Sequence, residues 1–270
     1  MAETSAKLDR LRALVGEMGS LLVAYSGGLD SAFVLKVATD VLGDRAIGMT
    51  AVSPSLPERE KDDAVRIATA MGARHMLVES HEIDDPRYAE NPSNRCYFCK
   101  SELYPITTRV RDELGIAWVA NGTNVDDLGD YRPGLDAARE AGVRSPLVEA
   151  ELTKAEVRDL AREIGLDVWD KPASACLSSR IPYGVEVTRE RLSQIGGLEG
   201  ALKRLGLRQV RVRYHGEVAR IEVAEEELAR AFAARDEIVR EGKRAGFVFV
   251  TLDLAGYRTG SLNALLRVVP

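Results

Sequence analysis

Histidine and cysteine are scarce in this chain: its 270 residues hold three of each, His75, His81 and His215, and Cys96, Cys99 and Cys176. Three thiols leave the four-coordinate shell of structural zinc one ligand short, and no histidine stands at ligand spacing from them, which disfavours a zinc module. Long apolar runs are missing too. No stretch approaches the roughly 20 residues that a membrane-spanning helix needs, and the opening Met-Ala-Glu-Thr-Ser-Ala-Lys has no apolar signal core, so a cytoplasmic setting without a membrane partner is expected. There is no basic excess. A formal net charge of -5 gives no general attraction to a nucleic-acid backbone, so any phosphate site has to be a local cluster of Lys and Arg, and nucleic acid is not expected as a partner. Internal repeats and low-complexity tracts are absent. What remains is an ordinary globular composition, 45% hydrophobic and 29% charged, over a length comfortable for two domains.

The first 180 or so residues alternate strand and helix. Leu8, Leu11, Val15 and Met18 mark an amphipathic opening helix; Leu21 to Tyr25 reads as a strand, Ser31 to Leu42 as a helix, and Ala46 to Val52 as a second strand. A helix over about 57–71 with Pro57 at its first position, a strand over 74–78, a helix through Cys99 to Leu114 and a strand over 117–120 follow. Thr153-Lys-Ala-Glu156 has the spacing of a capping box and opens a helix through Val157, Leu160, Ala161 and Ile164. Alternation of this kind implies an α/β fold, a parallel sheet with helices on both faces. Ligands of such sheets bind at the carboxyl ends of strands, where Ser26 to Asp30, Ser53-Pro54 and Asn121 to Asp127 fall. The character changes after Pro182-Tyr183-Gly184. A helix over about 188–205, strands over 209–214 and 217–223 around a His215-Gly216 turn, a helix over 224–241 and a strand over 247–254 predict a small antiparallel α+β domain. The domains expected are therefore 1–182 and 183–270.

One segment carries most of the chemical information. The strand ending at Tyr25 runs into Ser26-Gly27-Gly28-Leu29-Asp30-Ser31 and straight out into a helix. The turn therefore lies at a helix N-terminus, where free N–H groups and the helix dipole favour a polyanion, and Gly27 and Gly28 let phosphate approach the backbone. No Gly-Lys-Ser/Thr follows, so this is not a Walker loop, and it is not Gly-x-Gly-x-x-Gly. It resembles the PP-loop of ATP pyrophosphatases, Ser-Gly-Gly-x-Asp-Ser, whose members cleave ATP between its α and β phosphates to adenylate a substrate. In that role Ser26, Gly27, Gly28 and Ser31 hold the departing pyrophosphate, and Asp30 orients the loop or takes part in Mg2+ binding. Gly122, Asp126 and Asp127, at the end of a neighbouring strand, are candidates for the nucleotide or its metal; a solvated acidic turn is an equal reading of the two aspartates.

Cys96-Tyr-Phe-Cys99 brings two sulfurs onto one side of a turn, within reach of a single metal or cluster. Arg95 beside that pair, and Ser178-Ser179-Arg180 beside Cys176, set polar and cationic groups next to thiols, which favours thiolate. Small buried residues or a reducible pair suit the Cys-x-x-Cys spacing equally well. In Val210-Arg211-Val212-Arg213 the valines face the core and the two guanidinium groups share the other, exposed face, about 7 Å apart along the strand. Such a pair suits a phosphate, although arginines on an exposed strand face are more often simply solvated.

Ser26 to Ser31, Gly122-Thr-Asn-Val-Asp-Asp127, Ala175-Cys-Leu-Ser-Ser-Arg180, Val210-Arg-Val-Arg213 and Asp253-Leu-Ala-Gly-Tyr-Arg-Thr-Gly-Ser261 together resemble the LarE family over essentially the whole chain. The resemblance implies a PP-loop ATP pyrophosphatase fold (adenine nucleotide alpha-hydrolase-like). It implies that ATP and Mg2+ are used to adenylate a carboxylate of a small-molecule mononucleotide, pyridinium-3,5-biscarboxylic acid mononucleotide, and that the adenylate is then exchanged for sulfur on the way to the nickel-pincer nucleotide. Cys176, Asp30, Arg211 and Arg213 become catalytic candidates, with Arg211 and Arg213, and secondarily Arg180 and Arg258, on the substrate's phosphate. The smaller domain becomes a substrate-binding or oligomerisation domain, and a homo-oligomer is implied. Some LarE-like proteins lack the Cys-x-x-Cys and give up the sulfur of the cysteine that matches Cys176, leaving dehydroalanine. This chain departs from them by carrying Cys96 and Cys99, and resembles the group in which three cysteines hold a 4Fe-4S cluster whose open iron carries the transferable sulfide. The cluster route is the expectation and the sacrificial route the alternative; the sulfide donor is not specified. A tRNA thiolase shares the PP-loop, but calls for a basic surface that this composition lacks.

Overall fold

The computed structural model describes residues 2–129, 133–172 and 174–258, so the last three residues of the Asp253 to Ser261 motif fall outside the described residues. The chain divides into two compact units. One is built from 1–53, 58–88 and 93–174, the other from 54–57, 89–92 and the chain from 175 onward.

In the first unit, helix α1 (Ala2–Met18) leads into strand β1 (Leu21–Ala24), then α2 (Leu29–Leu42), β2 (Ala46–Val52), α3 (Glu58–Ala70) and β3 (Arg74–Glu79). After a single turn of helix, α4 (Pro86–Ala89), come α5 (Arg95–Glu113), β4 (Trp118–Ala120), α6 (Pro133–Glu140), α7 (Pro146–Glu149) and α8 (Lys154–Glu163). The four strands form one sheet in the order β3-β2-β1-β4, and every pairing in it is parallel, with Leu21 opposite Ala46 on one side and Trp118 on the other. β1 is apolar at every position because both of its faces are covered. Leu21 and Val23 pack with Leu11 and Val15 of α1, Phe33 and Val37 of α2, and Val157 and Leu160 of α8. Leu22, pointing the other way, joins Ile47 and Met49 of β2, Val119 of β4, and Leu103, Tyr104 and Val110 of α5. The first unit is thus an α/β fold, with helices on both faces of a parallel sheet as expected. The capping box is also present: the Thr153 side chain accepts from the Glu156 N–H, and the Glu156 carboxylate accepts from the Thr153 N–H.

The second unit places α9 (Arg189–Arg204) against β5 (Val210–His215), followed by β6 (Val218–Val223), α10 (Leu228–Ala233), α11 (Arg235–Arg244) and β7 (Phe249–Leu252). Thr188 caps α9, its hydroxyl accepting from the Arg191 N–H. Leu192, Ile195, Leu198 and Leu202 of α9 and Val210, Val212, Ala219, Ile221 and Val223 of the strands are buried.

Three sequence expectations about this unit's elements are corrected here. The three-stranded sheet is mixed: β5 and β6 form the antiparallel hairpin, but β7 runs parallel to β6, because the two helices between them carry the chain back to the same end. The hairpin turn is Gly216-Glu217 rather than His215-Gly216, since His215 still pairs with Val218 and Gly216 supplies the positive φ of +65°. The helix expected over 224–241 breaks at Ala234 into α10 and α11. A fourth correction concerns burial: Arg211 and Arg213, placed by the sequence on an exposed face, are each only 6% exposed.

A buried charge accompanies them. Glu222 is fully buried and accepts from the Arg213 guanidinium at 2.7 and 3.0 Å and from Arg220 at 3.0 Å. Replacing it with glutamine keeps the volume but leaves two guanidinium groups short of their counter-charge. Glu222→Gln is expected to lower the stability of this unit by about 3–5 kcal/mol, read as a shifted denaturation midpoint with unchanged slope.

Candidate active site

Strand β1 ends at Ala24, and the chain turns through Tyr25-Ser26-Gly27-Gly28 into α2. β1 lies at the point where the strand order reverses, with β2 on one side and β4 on the other, the place where open α/β sheets bind their ligands. Gly27 has φ +70°, and a Cβ on it would meet the Ala64 Cβ of α3 at 2.9 Å, so the turn needs glycine for both backbone and space. Gly28 is the N-cap of α2 and provides no side-chain cap, leaving the first N–H groups of the helix without that partner. The two serines brace the turn from within: the Ser26 N–H donates to Ser31 Oγ at 3.2 Å, the hydroxyls lie 3.1 Å apart, and Ser31 Oγ donates to the Gly28 carbonyl at 3.2 Å. Beneath it, Thr50 of β2 donates to the Tyr25 carbonyl at 2.7 Å, and the Tyr25 hydroxyl donates to the Ala64 carbonyl at 3.1 Å.

The loop after β4 closes the other side. A Cβ on Gly122 would lie 2.5 Å from the Ser31 nitrogen, so only glycine lets this loop rest on the start of α2. From there Asn124 donates to Asp30 at 3.1 Å, and Asp126 accepts from the Lys154 N–H at 2.8 Å. Asp127, 7% exposed, accepts from the Asn124 N–H at 3.1 Å. Of the two aspartates read as a solvated acidic turn, one is buried and both hold the loop. The structure therefore brings Ser26, Gly27, Gly28, Asp30, Ser31, Gly122, Asp126 and Asp127 together at the carboxyl ends of β1 and β4. Sequence reading missed three participants: Asn124, Lys154, whose ammonium stands 3.9 Å from Asp30, and Lys171. Lys171 donates to the Gly27 carbonyl at 3.2 Å and pairs with Glu60 at 2.9 Å and Asp63 at 3.4 Å. A signal did exist in Glu60, a charge standing on the buried Ala64, Ile67 and Ala68 stripe of α3.

The second unit gathers Cys176, Arg180, Arg211 and Arg213. Cys176 is half-buried at the start of a short 3-10 turn over Leu177–Arg180. Arg180 is 1% exposed; its guanidinium is held bidentately by Glu199 of α9 at 2.8 and 3.1 Å and donates to the Ala175 and Cys176 carbonyls at 2.8 and 3.0 Å. The cysteine's backbone is thus fixed by a buried ion pair. Glu199 also accepts from the Val212 N–H at 2.9 Å, tying the same pair to β5. Arg213 donates to the Ser179 carbonyl at 3.0 Å, and the Arg211 guanidinium stacks over Tyr257 at 5.3 Å. Burial, and then the like charge of Arg180, lower the Arg211 pKa. Arg258 is exposed. Glu199, absent from the sequence reading, was signalled by its place on the Leu192, Ile195, Leu202 stripe of α9.

Cys96 and Cys99 lie on α5, which begins at Arg95, so they stand one turn apart on a helix rather than on a turn; Cys96 is exposed and Cys99 half-buried. Thiols of this kind suit iron–sulfur ligation. Among the described residues, no three Cys, His, Asp or Glu side chains are grouped so as to hold a metal ion.

Asp30 gives the cradle a pH dependence. Burial raises its pKa above the ordinary carboxylate value, opposed by Lys154 and the Asn124 hydrogen bond. An acid that holds its proton more tightly in the folded chain makes the fold most stable below its unfolded pKa, and that stability is lost as the pH rises through the raised pKa. Asp30→Asn is therefore expected to be more stable than wild type at neutral pH, with the difference closing toward about pH 4. Denaturant melts at the two pH values check this, and a difference independent of pH would contradict it.

No family model matches the chain. It is 49% identical to an uncharacterised protein of Synechocystis sp. over 97% of this chain and 98% of that one. It is 38% identical to the pyridinium-3,5-bisthiocarboxylic acid mononucleotide synthase of Lactiplantibacillus plantarum, over 98% of this chain and 97% of that one. A tRNA-specific 2-thiouridylase of Rickettsia rickettsii matches at 26% over 60% of this chain and 54% of its own length. With a named relative matched along almost the whole of both chains, and a glycine-lined strand-to-helix turn built for a polyanion at the sheet's switch point, the chain belongs to the LarE family of ATP-dependent PP-loop sulfur transferases.

Proposed function

We propose that this protein inserts sulfur into pyridinium-3,5-biscarboxylic acid mononucleotide by way of an acyl-adenylate. The observation that carries the reading is the uncapped start of α2, walled by Gly27 and Gly122, together with the relative whose name specifies the bisthiocarboxylic acid mononucleotide. A carboxylate oxygen is a poor leaving group. Attack of a substrate carboxylate oxygen on the α-phosphorus of ATP breaks the bond to the β-phosphate, releases pyrophosphate and leaves an acyl-adenylate. A sulfur nucleophile then attacks the acyl carbon and expels AMP, giving the thiocarboxylate. Ser26, Gly27, Gly28 and Ser31 receive the pyrophosphate through N–H and hydroxyl donors, and Asp30, with Asp126 or Asp127 nearby, would help hold Mg2+. Arg211 and Arg213 would hold the substrate's mononucleotide phosphate. The setting proposed is the cytoplasm, and the assembly a homo-oligomer.

The proposed sulfur source is a 4Fe-4S cluster on Cys96, Cys99 and Cys176. Such a group supplies a transferable sulfide from its open iron. The chain's own part is to present Cys96 and Cys99 one helical turn apart and to clamp the Cys176 backbone through Arg180 and Glu199. A second reading is favoured by that clamp, because it positions Cys176 individually. In it the Cys176 sulfur attacks the adenylate, AMP leaves, and loss of the Cα proton with cleavage of the Cβ–S bond frees the thiocarboxylate and leaves dehydroalanine.

Incubation with ATP, Mg2+ and the dicarboxylate mononucleotide is expected to release pyrophosphate and AMP. Cys176→Ala should keep pyrophosphate release and abolish thiocarboxylate formation, as followed by mass spectrometry of the product. Failure of the wild type to release pyrophosphate would refute the adenylation step. Anaerobic purification and reconstitution should give about four irons and four sulfides per chain, and many turnovers with supplied sulfide. An iron-free protein that turns over once, its own chain becoming lighter by the mass of one hydrogen sulfide molecule, would replace the cluster route with the sacrificial one.

A further inference from the structure

We propose that Lys171 is a positioning residue of the pyrophosphate cradle, setting the Gly27-Gly28 peptide so that its N–H faces the bound phosphates; the inference rests on the reading of this turn as the ATP site. The ammonium-bearing side chain is 15% exposed and sits between the turn and α3. It donates to the Gly27 carbonyl at 3.2 Å while pairing with Glu60 at 2.9 Å and Asp63 at 3.4 Å. Glu60 is itself 7% exposed, so the anchor on α3 is rigid rather than a solvated surface contact.

The effect follows from peptide geometry. The chain has no cis peptide bonds among its described residues, and in a trans peptide the C=O and N–H point in opposite directions. Pinning the Gly27 carbonyl toward α3 therefore turns the Gly28 N–H away from α3, toward the open side of the turn. That N–H has only a long 3.4 Å approach to Ser26 Oγ within the chain. Gly27, at φ +70° and without a side chain, is where a peptide plane flips most readily, so an external clamp has something to hold. A flipped peptide would present a carbonyl oxygen to the phosphates, replacing attraction by repulsion. The backbone of Lys171 is fixed in turn: its N–H donates to the carbonyl of Val168, a core residue 2% exposed. Lys171 also sets a positive charge between the phosphate site and two carboxylates that would otherwise repel a polyanion.

The test compares MgATP with AMP on the full-length protein, because AMP lacks the β and γ phosphates that the turn receives. Lys171→Met is expected to weaken MgATP binding about tenfold or more, the worth of one charge-assisted hydrogen bond, while AMP binding stays within about twofold. Lys171→Arg, which keeps a donor and a charge, should recover most of the loss. In 15N-labelled protein without ligand, the Gly28 amide resonance should move in Lys171→Met and return toward its wild-type position in Lys171→Arg. The double substitution Glu60→Gln with Asp63→Asn leaves Lys171 in place but frees it from its anchor, so it provides a reading even where Lys171→Met does not fold; it too should weaken MgATP selectively. Unchanged MgATP affinity in the folded Lys171 variant, equal losses for MgATP and AMP, or tighter MgATP binding in the double variant would overturn the proposal; the last would mean that the freed ammonium binds phosphate directly. Failure of the wild type to bind MgATP would refute the ATP reading itself, separately from the role of Lys171.

Discussion

Everything at the first site depends on two close contacts that only glycine allows. Gly122 rests on Ser31 at a distance that excludes a Cβ, and Gly27 rests on Ala64 in the same way from the opposite side. These contacts place the β4 loop and α3 beside the beginning of α2. Where α8 and α9 each satisfy their first turn with a threonine hydroxyl, α2 begins at Gly28 with no side-chain cap. N–H groups without a side-chain cap and the positive end of the helix dipole then favour a ligand of opposite charge. The parallel sheet makes this possible, because the order β3-β2-β1-β4 brings the loops after β1 and β4 together at the switch point.

The second unit handles charge by a different route. It buries Arg180, Arg211 and Arg213 with Glu199 and Glu222, groups whose desolvation is costly unless each is paired and hydrogen-bonded. Hydrophobic residues of similar size would pack these positions with less penalty, so the ion pairs are poorly explained as a source of stability alone. What they give instead is fixed geometry. Arg180 holds two successive carbonyls around Cys176, Glu199 holds Arg180 and the backbone of β5, and Glu222 holds Arg213. A cysteine placed by a carbonyl clamp keeps its position through its backbone alone.

The sequence was most readable where one physical requirement acts locally. Parallel strands buried on both faces read as apolar runs, the Thr153 capping box read as a helix start, and Ser-Gly-Gly-x-Asp-Ser read as a phosphate turn, because each is specified within a few neighbouring residues. Features that depend on partners distant in sequence were harder to see. The direction of β7 is set by two intervening helices, the assignment of 54–57 and 89–92 to the second unit is a matter of tertiary contact, and the burial of Arg211 and Arg213 is set by Glu222 and by the segment at Ser179. The most informative overlooked signal was a charge on an apolar stripe. Glu60 in α3 and Glu199 in α9 both interrupt hydrophobic helix faces, and each pairs with a cation that hydrogen-bonds to the backbone of a loop, Lys171 at Gly27 and Arg180 at Ala175 and Cys176.

The two units therefore arrange charge by different physics. At the PP-loop the helix start offers backbone dipoles that cannot titrate, and Asp30, Lys154 and Lys171 are arranged around the turn rather than spread along a basic surface. Dipoles of this kind need no reorganisation when an anion binds or departs, and they act without a side chain that must be drawn out of water. In the second unit the guanidinium groups are already desolvated, so much of the penalty for stripping water from the cation is met in folding. Burial lowers the Arg211 pKa, yet a guanidinium starts from so high a value that it remains a cation across the physiological range, which a lysine buried in its place would not reliably do. The net charge of -5 is consistent with this division, because neither arrangement needs a basic surface.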